Sequence, residues 1–157
     1  MYVPGQEFYG MNSGIWNMKI EGKCHCGNIT YVLRWPDEGT KIPARSCSCT
    51  FCTKHGGTYT SHCDAELAAV VHDKTLVSQY RFGTGTAEFC ICSRCGVVPF
   101  ITSMIEDNLY AVVNVNCFEG INPSCFARSV TDFDGETTKS RLDRRKRNWI
   151  PTVTVTS

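Results

Sequence analysis

No run of about eighteen apolar residues occurs in the chain, so no membrane-spanning helix is expected. The opening stretch, MYVPGQEFYGMNSGIWNMKI, has no basic segment leading into an apolar block, so no secretory leader is expected and the setting is read as cytoplasmic. Charge imbalance is also missing. Sixteen Lys and Arg stand against fifteen Asp and Glu, and a net charge of +1 supplies no overall field for nucleic acid or an anionic membrane. Long amphipathic helical patterns and internal repeats are absent as well. At 157 residues the chain is too short for two ordinary domains but long enough for one real core.

Cysteine is what the chain has in excess, with eleven residues. In a secreted chain such a number would read as a disulfide scaffold. In a reducing compartment clustered cysteines bind metal or do chemistry, and the odd count favours that reading.

The pattern between the clusters is that of strands. From Asn28 to Trp35, Ile29, Tyr31, Leu33 and Trp35 alternate with Thr30, Val32 and Arg34, which predicts a strand with one buried face. Extended segments are expected over 41–47, 58–63, 68–71 and 76–82, with Asp64 capping a short helical turn over 65–67. The β-rich runs 97–105 and 109–118 flank Glu106-Asp107-Asn108, a hairpin signal. The fold class read from this is mainly β, a single domain with little helix. Residues 1–17 read as a loose N-terminal arm, 18–135 as the domain and 136–157 as a polar, basic tail.

Three cysteine clusters carry the chemistry. Cys24-His25-Cys26 lies just before the first clear strand, and Cys92-Ser93-Arg94-Cys95-Gly96 is a knuckle whose glycine permits the turn that brings two thiolates together. Tetrahedral zinc takes four ligands, so one early pair and one late pair make a closed structural site. The middle cluster, Cys47-Ser48-Cys49-Thr50-Phe51-Cys52, has three thiolates and no fourth at matching spacing. Three protein ligands with an open position mark a zinc that handles substrate. His55, His62 or Cys63 could instead close this shell, making both metals structural. A third arrangement is one multi-metal cluster sharing all the thiolates. Cys63, Cys90, Cys117 and Cys125 fit no ligand spacing and read as small hydrophobes.

The motifs GKCHCG, CSCTFCTKHGG and CSRCGVVPF, in this order, resemble the glutathione-dependent formaldehyde-activating enzyme family, which also includes centromere protein V; the likeness spans about residues 19–135. The resemblance implies antiparallel sheets pinned by zinc, one structural zinc on Cys24, Cys26, Cys92 and Cys95, and a second on Cys47, Cys49 and Cys52. It implies as substrates glutathione or another small thiol and formaldehyde or a small aldehyde, joined in a carbon–sulfur lyase reaction. Two positions depart from the family pattern. Ile91 stands where a phenylalanine usually precedes the third cluster, and His55 stands where a small polar residue is common.

His55 could move a proton at this site, and Lys54 and Arg45 could pair with the carboxylates of glutathione. The rival reading is non-catalytic: a zinc-stabilised module, or a thiol or zinc carrier. The basic run Arg141, Arg144, Arg145, Lys146 and Arg147 would then contact chromatin or another partner, or act as a nuclear import signal.

Overall fold

The computed structural model describes residues 7–12, 15–37 and 39–157, with side chains from 18–36 and 39–157. Two sheets form a sandwich. The first has the order β1-β2-β3-β6-β12, built from Glu7–Asn12, Ile15–Lys23, Ile29–Asp37, Glu66–Val71 and Thr152–Thr156. The second has the order β11-β4-β5-β10-β9-β8-β7. Its strands are Phe126–Thr131, Ile42–Cys47, Tyr59–Thr60, Asn108–Asn114, Phe100–Ile105, Glu88–Cys92 and Val77–Tyr80. Two short helices, α1 (Thr50–His55) and α2 (Thr138–Asn148), complete it.

The alternation in β3 is realised: Ile29, Tyr31, Leu33 and Trp35 face the core while Arg34 is exposed. Leu67, Ala69 and Val71 of β6 join them, and Cys90, Phe100, Ala111 and Val113 meet them from the second sheet. The opposite face of that second sheet is buried too, by Phe89, Ile101 and Val112 under Cys52, Tyr59 and Trp149. A sheet covered on both faces needs continuous apolar strands, which is why the runs around β9 and β10 lack clean alternation. The β9–β10 hairpin closes as expected. Glu106 and Asp107 have φ of 50° and 63°, and Ile105 pairs with Asn108, giving a two-residue turn whose twist suits the strands.

Four expectations are corrected. The helical turn over 65–67 is absent, and β6 already begins at Glu66, because Leu67 must stay in phase with Ala69 and Val71 to reach the core. The sheets are not wholly antiparallel: β11 runs parallel to β4, and β12 parallel to β6. The loose arm is in part strand, with β1 antiparallel to β2 in the register Glu7↔Lys19 and Phe8↔Met18. Residues 1–6 and 13–14 of that expected arm lie outside the described residues.

The fourth correction concerns the tail. Thr137 Oγ1 caps α2 by accepting from the Ser140 amide at 3.1 Å, and Arg145, Lys146 and Arg147 occupy the last turn, where the helix dipole favours cations. Trp149 and Ile150 then enter the core, with Ile150 bonded to Ala111 through both backbone groups. The segment is part of the fold.

Candidate metal centres

The first cluster is assembled by two turns of the same design. The amide of Cys24 donates to the Ile29 carbonyl at 2.9 Å, and that of Cys92 to the Val97 carbonyl at 2.9 Å. Inside each turn a glycine amide donates back to the cysteine carbonyl, Gly27 to Cys24 at 3.1 Å and Gly96 to Cys92 at 2.7 Å. Both glycines have positive φ, 83° and 80°, a conformation that a side chain would strain.

The four sulfurs of Cys24, Cys26, Cys92 and Cys95 lie within 4.8 Å of one another. Cys26 Sγ is 3.7 Å from Cys24 Sγ and 3.5 Å from Cys92 Sγ. Tetrahedral zinc–thiolate bonds near 2.3 Å would separate the sulfurs by about 3.8 Å, so the set fits a tetrahedral thiophilic metal. Amide donors surround it: the Ile29 N–H points at Cys24 Sγ at 3.3 Å. Burial pushes the Cys24 thiol up to about 12. Burial also acts on Cys95, but backbone bonds from Cys26 and Val97 outweigh it and draw that thiol down to about 6.

The second cluster sits on the outer face of the second sheet. Cys47 ends β4, where its register partner is Thr131 of β11, and the Ser48 amide donates to the Thr131 carbonyl at 2.9 Å. Cys49 is the N-cap of α1, its sulfur accepting from the Cys52 amide at 3.4 Å. Cys52, one turn on, is buried. The three sulfurs also lie within 4.8 Å of one another. Hydrogen bonding to Cys52 is the leading cause that lowers Cys47 to about 5, and the same bond raises Cys52, with burial adding to it.

Among the described residues, no other His, Cys, Asp or Glu ligand atom joins this trio. His55 lies exposed and stacked on Phe51, with ring centroids 5.3 Å apart. His62 packs edge-on to Trp35 and accepts from the Asp64 amide at 3.0 Å, and it groups instead with Cys63 and Asp64. The quartet and trio are separate groups, and no two of the eleven cysteines are joined as a disulfide. Phe51 borders the trio and touches Tyr80, Phe82 and Phe89 at centroid distances of 5.2, 5.0 and 4.7 Å.

The basic run is largely committed within the molecule. Arg144 makes a two-pronged bond to Glu136 at 2.9 and 3.0 Å and lies over the Phe133 ring at 3.8 Å. Arg141 reaches Glu136 at 3.5 Å and the Phe133 carbonyl at 3.3 Å. Arg145 is buried and donates to Thr86 Oγ1 at 2.8 Å and Ser103 Oγ at 3.2 Å, while Lys146 reaches Glu106 at 3.1 Å. The charge of Arg141 is a minor influence that lowers the Cys47 thiol. Lys54 is exposed at the end of α1, and Arg45 is half-buried in β4 on the same strand face as Cys47. Sequence reasoning missed Tyr59, which is buried among the trio's neighbours; no spacing rule marks a lone tyrosine.

A sequence model of the glutathione-dependent formaldehyde-activating enzyme family matches residues 19–133. A solved crystal structure of a Rhodobacter sphaeroides protein from structural genomics is 28% identical, covering 66% of this chain and 92% of its own, with a TM-score of 0.48. No helix among the described residues is long and apolar enough to cross a membrane.

Proposed function

We propose, on the premise that the chain belongs to the glutathione-dependent formaldehyde-activating enzyme family, that it is a zinc-binding carbon–sulfur lyase-like protein. It joins glutathione, or a related small thiol, to formaldehyde or a small aldehyde as an S-hydroxymethyl adduct. Cys24, Cys26, Cys92 and Cys95 hold a structural zinc, and Cys47, Cys49 and Cys52 hold a second zinc that is open to substrate. The observation that carries this reading is the unequal division of seven sulfurs into a closed quartet and a separate trio with no fourth protein ligand among the described residues.

Bound at the trio, zinc would keep a substrate thiol deprotonated and fixed in place. The chain's own residues supply the rest. Cys49 is locked as a helix cap and Cys52 is packed into a core, so the ligand geometry is set by the fold before substrate arrives. The rings of Phe51, Phe82 and Phe89 form an apolar wall on one side. Arg45, on the same strand face as Cys47, and Arg141, whose charge already acts on Cys47, suit a thiol that carries carboxylates. The reaction is concerned with holding two small molecules together, so proximity supplies most of the rate.

The rival, a non-catalytic module using the basic run, is disfavoured by the internal partners of Arg141, Arg144, Arg145 and Lys146. The test is glutathione-dependent loss of formaldehyde by the zinc-loaded protein, compared with a folded Cys52→Ala variant. The proposal expects the variant to fall to the uncatalysed rate. Equal rates for both proteins would remove the catalytic assignment.

A further inference from the structure

The hydroxyl of Tyr59 is buried with no hydrogen-bond partner among the described residues, in a residue only 8% exposed. A phenol O–H withdrawn from water with nothing to receive it lowers stability, so such a group calls for an explanation. The ring is held in place by Gly57. A Cβ there would lie 2.5 Å from the Tyr59 hydroxyl oxygen, so glycine alone leaves room for it. Gly57 directly follows Gly56, whose amide donates to the Cys52 carbonyl at 2.8 Å, so the hydroxyl lies against the turn that ends α1. Tyr59 and Cys52 share one apolar cluster, with Cys47 and Cys49 packed against it.

The charges that act on this hydroxyl are those of Cys52, Cys117, Cys49 and Cys47, which include the whole trio. A phenol, with an ordinary value near 10, keeps its proton at neutral pH, so the Tyr59 hydroxyl is a donor. None of the sulfurs takes that proton, because the hydroxyl is unpartnered. The trio is short of one ligand and the tyrosine is short of one acceptor, and the two belong to one cluster.

We propose that Tyr59 donates a hydrogen bond to the oxygen of the small carbonyl compound that reacts at Cys47, Cys49 and Cys52. This rests on the functional reading above. As the substrate sulfur's electron pair forms the C–S bond, the carbonyl π pair moves onto oxygen, and the Tyr59 O–H faces the charge that develops there. The proton released when the thiol binds returns to that oxygen through solvent. Tyr59 ends the step with its own proton, so no further reactant is needed.

The test is Tyr59→Phe, which removes one oxygen and keeps the ring over Gly57. The variant should fold, hold the same zinc and melt no lower. Its kcat for glutathione-dependent formaldehyde consumption should fall on the order of ten- to a hundred-fold, with KM for glutathione changed less than about two-fold. An unchanged kcat overturns the proposal and leaves the functional reading standing. A second readout uses protein labelled with 13C at tyrosine Cζ, where the Tyr59 resonance is identified by its loss in the variant. That resonance should move when glutathione and formaldehyde are added to the zinc-loaded protein. If the unsubstituted protein shows no catalysis, the functional reading fails separately, and a Tyr59 resonance that stays still overturns this proposal as well.

Discussion

Cys24 and Cys92 occupy the same place in two equivalent turns, each amide donating over 2.9 Å to the carbonyl five residues on. The two turns belong to opposite sheets, β2–β3 and the end of β8, so a metal held between them ties the sandwich together. Both sulfurs are fully buried, and both thiols are pushed up by that burial. Cys92→Ser should therefore unfold the protein or leave a loose state, since structural zinc contributes on the order of 10 kcal/mol of folding free energy. Near-UV circular dichroism checks this. Cys52→Ser should keep a native spectrum.

The C-terminal segment should prove structural rather than a detachable tail. Ile150 is fully buried and bonded to Ala111 at both backbone groups. Ile150→Ala should lower stability by about 2–5 kcal/mol, measured by urea unfolding. A loss below about 0.5 kcal/mol would return the segment to the status of a solvated appendage.

The fold was legible where a single face is buried. β3 alternates because one side meets the core, and the Glu106-Asp107 turn declares itself by residue type. β6 was misread at its start because Asp64-Ala65 imitates a helix cap. α2 was missed because its buried anchor is Arg145, satisfied by Thr86 and Ser103, in place of an apolar stripe that periodicity would reveal. The cysteine sets could be read from spacing, yet the Tyr59 hydroxyl reaches its place through the packing of Gly57 and leaves no local signature.

Asp107 and Glu106 both sit in the left-handed region, at φ of 63° and 50°, which strains residues with a Cβ. Asp107→Gly should therefore stabilise the protein by about 0.5–1 kcal/mol, seen as a raised Tm without change in zinc content. A lowered Tm would show that the Asp107 side chain contributes more than its backbone strain removes.

Acid should loosen α2 through Glu136. Hydrogen bonding to Arg144 is the main cause that holds this carboxyl below its ordinary value of 4.5. A carboxyl depressed in the folded state stabilises above its unfolded value and loses that contribution as pH falls through the folded one. The loss thus begins near pH 4.5 and deepens below it. Glu136→Gln should be less stable at neutral pH and should show a shallower fall in acid, measured by the pH dependence of Tm. Parallel pH curves for the two proteins would contradict the assignment.

The most direct measurement is zinc per chain by native mass spectrometry, on the protein and on its Cys52→Ala variant. The proposed division of seven sulfurs into a saturated quartet and an open trio predicts two zincs in the protein and one in the variant, both folded. Two zincs retained in the variant, or loss of both together with the fold, would contradict the division.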